Sequence, residues 1–161
     1  MPWTYSLSQL ADVIGTDTDR GGLAFRRAST DTRSIMSGDV FFALRGERFD
    51  GNHFVRDAFL KGAIGAVTTE PHDGGPCLVV PDPLEALQQF AAYHRRQFDI
   101  PLLAITGSCG KTTAKDMTAR LLSTKLRVVK TQGNLNNEIG CPQSLLQIDA
   151  DTDMAVIEMG A

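Results

Sequence analysis

The sequence predicts an α/β protein in two parts, a small α/β domain over 1–99 followed by the start of a P-loop parallel-sheet domain over 100–161. Three observations carry that prediction. From Pro101 onward, short apolar runs alternate with helical patterns, the mark of parallel strands covered by helices. A glycine-rich stretch, Thr106-Gly107-Ser108-Cys109-Gly110-Lys111-Thr112-Thr113, falls between one of those runs and a helix. Ahead of it, strands and helices also alternate, with turn residues between them.

Taken in order, the first helix is expected over 6–14, with Leu7, Leu10 and Ile14 on one face and Gly15 to end it. Strands are expected over 25–32 and 39–44, parted by a turn at Ser37-Gly38. A helix over 54–61 carries Phe54, Ala58 and Phe59 at helical spacing and stops at Gly62. Two apolar runs follow, 65–68 and 77–80, on either side of a loop from Pro71 to Pro76. Asp82-Pro83-Leu84-Glu85 starts the next helix: Asp82 can cap it, Pro83 suits its first position, and Glu85 completes a capping-box spacing. That helix runs to about Gln97 and buries Leu84, Leu87, Phe90 and Ala91, with His94 either buried beside them or at the surface or boundary, and not read as a ligand. The break at Phe98-Asp99-Ile100-Pro101 sets the domain boundary. Beyond it come a strand over 102–105, the glycine loop, a helix over 112–123, a strand over 126–129, a polar loop, a helix over 142–148 and a strand over 154–159.

Composition narrows the function classes. A net charge of −3, with basic residues scattered except for Arg26-Arg27 and Arg95-Arg96, gives no electrostatic case for binding nucleic acid. Cys77, Cys109 and Cys141 are odd in number and widely spaced, so they form neither a disulfide framework nor a C-x-x-C metal pair. Reduced thiols, an amino terminus without a signal-peptide pattern, and no apolar run of bilayer length point to a cytoplasmic protein without membrane insertion.

The glycine loop carries the strongest chemistry. Glycines let the backbone turn so that successive N–H groups converge on phosphate oxygens at a helix start. Gly107 and Gly110 suit that role, Lys111 would set a cation beside the β- and γ-phosphates of ATP, and the Thr112 hydroxyl would ligate Mg²⁺. The stretch is the shorter T-G-x-x-G-K-T-T form, since the first position of G-x-x-x-x-G-K-[ST] falls on Ile105. A cysteine-phosphatase reading of Cys109 needs an arginine six positions on, where Lys115 stands, and a dinucleotide fingerprint needs a glycine pattern that 107–110 does not supply.

Glu158 ends an otherwise apolar strand, and an unpaired buried carboxylate is costly. The carboxyl ends of parallel strands border such a nucleotide site, so Mg²⁺ is a natural partner for it, the other reading being a carboxylate simply exposed at the strand end. The run Gly133-Asn134-Leu135-Asn136-Asn137-Glu138-Ile139-Gly140 is, by its residues alone, a polar loop. Ser29-Thr30-Asp31-Thr32-Arg33 and the stretch from Leu44 through Gly46 and Asp50 to Phe54 suit a diphosphate or sugar ligand, and equally a charged surface turn.

These segments together, spanning nearly the whole chain, resemble the Mur ligase family of peptidoglycan synthesis. The resemblance implies that 1–99 holds a UDP-muramoyl-peptide and that 100–161 begins a central ATPase domain. Within the family, the Gly-Asn-Leu-Asn-Asn-Glu-Ile-Gly run points to joining D-alanyl-D-alanine to UDP-N-acetylmuramoyl-tripeptide through an acyl phosphate made from ATP. By the same resemblance Lys111 and Thr112 are catalytic, and Gly107, Ser108, Cys109, Gly110, Lys111, Thr112, Thr113, Asn136 and Asn137 bind the nucleotide. Thr112 and Glu158 hold Mg²⁺, while Thr30, Asp31, Thr32, Arg33, Gly46 and Asp50 face the UDP-sugar. A monomer is expected. The family's metal-bridging carbamylated lysine and histidine, and its carboxy-terminal domain, have no counterpart here. A chain that stops right after an apolar strand is therefore expected to be the amino-terminal portion of a longer enzyme, inactive alone. Two other readings stand beside this one: a non-catalytic UDP-sugar-binding module with a vestigial phosphate loop, and a sister ligase adding another amino acid.

Overall fold

The computed structural model describes residues 3–46 and 49–160. The chain forms two compact units, Trp3–Phe90 and 91–160, divided inside helix α3 (Pro83–Arg96).

In the first unit, β1 (Tyr5–Ser6) pairs antiparallel with β2 (Ala24–Phe25) around α1 (Leu7–Ile14). A capping box starts α1: Ser6 Oγ accepts from Gln9 N at 3.1 Å, and Gln9 Oε1 accepts from Ser6 N at 2.9 Å. Four parallel strands follow in sequence order, β3 (Ala28–Ser29), β4 (Val40–Phe42), β5 (Gly65–Thr68) and β6 (Cys77–Val79), with α2 (Val55–Leu60) between β4 and β5. Alternation along β4 builds two cores. Phe41 and Ala43 meet Val55 and Ala58 of α2. On the other side Phe42 stacks at 6.4 Å on Phe90 of α3, which also meets Trp3, Tyr5 and Phe25 edge-on or tilted.

The strand expected over 25–32 is instead two short strands in different sheets. After Ser29 the chain turns into a 3-10 helix at Thr32–Ser34, because the Asp31 carboxylate accepts from Arg33 N at 2.9 Å and so offers the backbone a turn in place of a ladder. A second such turn, Gly51–Phe54, takes the start of the helix expected over 54–61, with Asp50 capping it through Asn52 N at 2.9 Å. Asp82 caps α3 through Leu84 N at 2.8 Å.

The second unit is a parallel sheet of order β7-β9-β8, from β7 (Leu102–Ile105), β8 (Val128–Lys130) and β9 (Met154–Glu158). Ala155 and Ile157 of β9 face a core with Ile148, Phe98, Ile100 and Leu102. His94 is fully buried here, with Nε2 2.8 Å from the carbonyl of Ile148, which places it with the buried residues of the helix and corrects the surface or boundary reading. Burial pushes its imidazole below the usual histidine range, against the Ile148 carbonyl, which raises it. Helix α4 (Lys111–Leu122) packs on the opposite face with Lys115 and Ala119 inward, and α5 (Gly140–Leu145) precedes β9.

Candidate active site

The glycine loop lies between β7 and α4, as the sequence predicts. Gly107 has φ +142° and Gly110 φ +77°, conformations that a side chain disfavours, and Gly110 stands at the N-cap of α4. No side chain caps that first turn, which leaves its N–H groups, at the positive end of the helix dipole, without a side-chain acceptor at the cap. Lys111 is half-buried and its Nζ donates to the Gly107 carbonyl at 2.5 Å, while Ser108, Cys109 and Thr113 are exposed.

Glu158 sits at the carboxyl end of β9, 1% exposed. Thr131 Oγ1 accepts from its backbone N–H at 3.0 Å. Its Oε1 accepts from the Thr112 hydroxyl at 3.2 Å and from Asn136 Nδ2 at 2.8 Å. Its Oε2 is buried without a hydrogen-bond partner and faces the Lys115 ammonium at 3.5 Å. Burial raises this carboxyl, but hydrogen bonds from Asn136 and Thr112 and the charge of Lys115 outweigh it, so the group sits below the usual glutamate range.

The structure thus gathers Thr112, Glu158 and Asn136, three of the residues singled out for nucleotide and metal. Asn137 goes elsewhere: its Oδ1 accepts from Gly140 N at 2.8 Å and shapes the turn into α5. Sequence reasoning missed two members, Lys115 and Thr131. Lys115 follows Thr112 by three positions and precedes the buried Ala119 by four, so the helical period was the available signal. Thr131 gave none.

Mg²⁺ uses one or two protein groups beside waters and phosphate oxygens. Among the described residues no cluster of three or more His, Cys, Asp or Glu side chains forms a metal cage. A buried carboxylate oxygen without a hydrogen bond, next to a threonine hydroxyl at a phosphate loop, fits that sparse demand.

In the first unit, Thr30, Asp31, Thr32 and Arg33 line a cleft of about 460 Å³ with Phe41, Leu44, Phe49, Gly51 and Phe54. Arg33 pairs with Asp31 at 2.6 Å, and its hydrogen bond holds the Asp31 carboxyl down at about 2. Gly46 and Asp50 are in the adjoining turn, where Gly46 N donates to Phe49 O at 2.9 Å and Arg45 pairs with Asp50 at 2.7 Å.

A parallel sheet with a strand–glycine loop–helix passage and a carboxylate ending the adjacent strand defines a phosphate-loop α/β protein. Residues 105–161 match the Mur ligase middle domain, and residues 26–95 match the catalytic domain of the Mur ligase family. The chain belongs to the Mur ligase family. A UDP-N-acetylmuramoyl-tripeptide–D-alanyl-D-alanine ligase of Synechocystis is 49% identical over 160 residues, which are 97% of this chain and 35% of that protein. The Escherichia coli ligase of the same name is 41% identical over 97% of this chain and 35% of its own length. The crystal structure of MurF from Acinetobacter baumannii superposes on the whole chain with a TM-score of 0.94 at 37% identity, using 37% of its own length. MurF from Thermotoga maritima, solved in complex with ADP, matches 84% of the chain and 32% of its own at TM-score 0.74 and 33% identity. The chain therefore spans about a third of the length of the relatives it matches.

Proposed function

We propose that the protein carrying this chain is an ATP-dependent ligase that joins D-alanyl-D-alanine to UDP-N-acetylmuramoyl-tripeptide, acting as a cytoplasmic monomer. In this reading residues 1–99 hold the UDP-muramoyl-peptide and 100–161 begin the ATPase domain. The observation that carries it is the convergence of Thr112, Asn136 and Glu158 beside a glycine loop, in a chain nearly half identical to a ligase of that name. An intact lysine, hydroxyl and carboxylate speak against a vestigial loop.

The tripeptide's terminal carboxylate takes the γ-phosphoryl group of ATP to give an acyl phosphate and ADP. The amine of D-alanyl-D-alanine then attacks the acyl carbon, an amide forms, and phosphate leaves. Such transfer depends on positioning and on neutralising phosphate charge. The N–H groups of 107–113 bind phosphate oxygens, and Lys111 swings from the Gly107 carbonyl to the transferring group. Thr112 and Glu158 would hold Mg²⁺, which would supply positive charge to neutralise the phosphates. Asn136 holds the Glu158 carboxylate in register, and the Thr30–Arg33 cleft takes the UDP-sugar, its aromatic walls suited to a base and Arg33 to a phosphate.

Phosphate release tests this in the protein as its gene encodes it, given ATP, Mg²⁺, UDP-N-acetylmuramoyl-tripeptide and D-alanyl-D-alanine. Release that needs both acceptor substrates, and that Lys111→Ala abolishes, is expected. Release no greater than without the acceptors, or unchanged in Lys111→Ala, would overturn it.

A further inference from the structure

Lys115 has no place in the chemistry above, yet it is 1% exposed on the inward face of α4. Burying an ammonium costs several kcal/mol unless well placed partners offset it. Its Nζ donates to the Gly133 carbonyl at 2.8 Å, faces Glu158 Oε2 at 3.5 Å and lies 3.7 Å from Asp116 Oδ1. Asp116 is itself engaged by Lys130 of β8 at 2.7 Å. One buried cation therefore touches the phosphate-loop helix, the polar loop that carries Asn136 and the end of β9.

We propose that Lys115 is a positioning residue for the metal–nucleotide site, setting where Asn136 and Glu158 stand relative to Thr112. This rests on reading 106–113 as the ATP-phosphate loop. Two features separate the role from plain stabilisation. A buried ion pair is a poor way to gain stability, since apolar side chains of like volume serve as well or better. Moreover, Lys115 meets Oε2 only at 3.5 Å while it bonds the Gly133 carbonyl at 2.8 Å, so its charge orients the carboxylate without a short hydrogen bond to that oxygen. The two lysines of α4 thus divide the work: Lys111 reaches over the loop, and Lys115, one turn on, fixes the floor beneath it.

The test is equilibrium binding of a fluorescent N-methylanthraniloyl-ADP to the protein as encoded by its gene, in EDTA and in saturating Mg²⁺, with thermal melting alongside. The quantity read is the ratio of the two Kd values. Lys115→Met is expected to leave the Kd in EDTA within about twofold and to cut the Mg²⁺-dependent gain about tenfold, the usual range for a partner behind a metal ligand. Lys115→Gln, which can still donate to Gly133 but lacks the charge, is expected to fall between, and it carries the test if Lys115→Met does not melt cooperatively. A gain unchanged in either folded variant overturns the proposal, as does an equal loss in EDTA and in Mg²⁺, which marks a merely structural lysine. If the unmutated protein shows no nucleotide binding, the reading of the loop itself fails, and that result is distinct from either.

Discussion

The hydroxyl of Thr112, in the first turn of α4, donates to the Glu158 carboxylate at 3.2 Å across 46 positions of sequence. With Asn136 on the same oxygen, this contact ties the phosphate loop to the end of the central strand. Glu158→Gln keeps the shape and the acceptor but removes the charge. Mg²⁺-dependent nucleotide affinity should fall about tenfold or more while affinity in EDTA is kept. Lys115 then loses its buried counter-ion, so denaturant unfolding should show a loss on the order of 3 kcal/mol. Unaltered Mg²⁺ dependence in titrations of the variant would remove Glu158 from the metal site.

His94 gives a pH dependence whose sign is set by burial. Its folded-state pKa lies below the ordinary value because burial disfavours the imidazolium, so below about pH 6.5 the unfolded chain takes up a proton that the native chain refuses. The stability it contributes is present above that pH and is lost as pH falls toward the lowered folded value. Melting temperatures between pH 7.5 and 5 should therefore drop, and His94→Gln, which can still donate to the Ile148 carbonyl, should drop less steeply. Parallel curves for the two proteins would assign the pH dependence elsewhere.

Asp50 works in the acid range. Hydrogen bonds from Asn52 N and Asn52 Nδ2, then from Arg45, hold its carboxyl at about 2, well under its unfolded value. Its contribution is present above about pH 4 and disappears as pH falls toward 2. Asp50→Asn should melt lower at pH 7, and should lose less on acidification from 4 to 2. It should also weaken UDP-sugar binding, because Asp50 organises the turn beside the Thr30–Arg33 cleft. Calorimetric titration with the UDP-sugar checks that last point.

Gly140 is required by space. A Cβ there would lie 2.4 Å from the Leu135 carbonyl carbon, and backbone cannot rotate away as a side chain can. Gly140→Ala should displace the 134–137 loop, lower stability by about 1–3 kcal/mol and reduce nucleotide affinity through Asn136. A crystal structure of the variant with Asn136 still on Glu158 would contradict this.

Much of this was legible in the residues. Strand–loop–helix order, the glycines, and an acidic residue closing an apolar run identify the phosphate loop because each answers a local requirement: a positive φ, an open helix start, a costly buried charge. Local rules failed where distant chain decides. Nothing near His94 says that Ile148 will cover it, and only the packing of α4 on β9 shows that Lys115 points at Glu158. The Phe25–Thr32 stretch, expected as one strand, is parted between β2 and β3 and ends at Ser29, where Asp31 draws the backbone into a turn.

The order of the strands also has a kinetic consequence. In the first unit each new strand, β3 to β6, adds to the edge of its predecessor, so that sheet can grow as the chain emerges from the ribosome. In the second, the strand between the other two follows both in sequence: among the described residues β7 and β8 both hydrogen-bond to β9 and not to each other. Among the described strands neither β7 nor β8 has a ladder until residues 154–158 arrive, so joining them waits for closures of high sequence separation, the slow kind. Because Glu158 rides on β9, it joins Thr112 and Asn136 only when that strand pairs, and no species formed before then can present the three together.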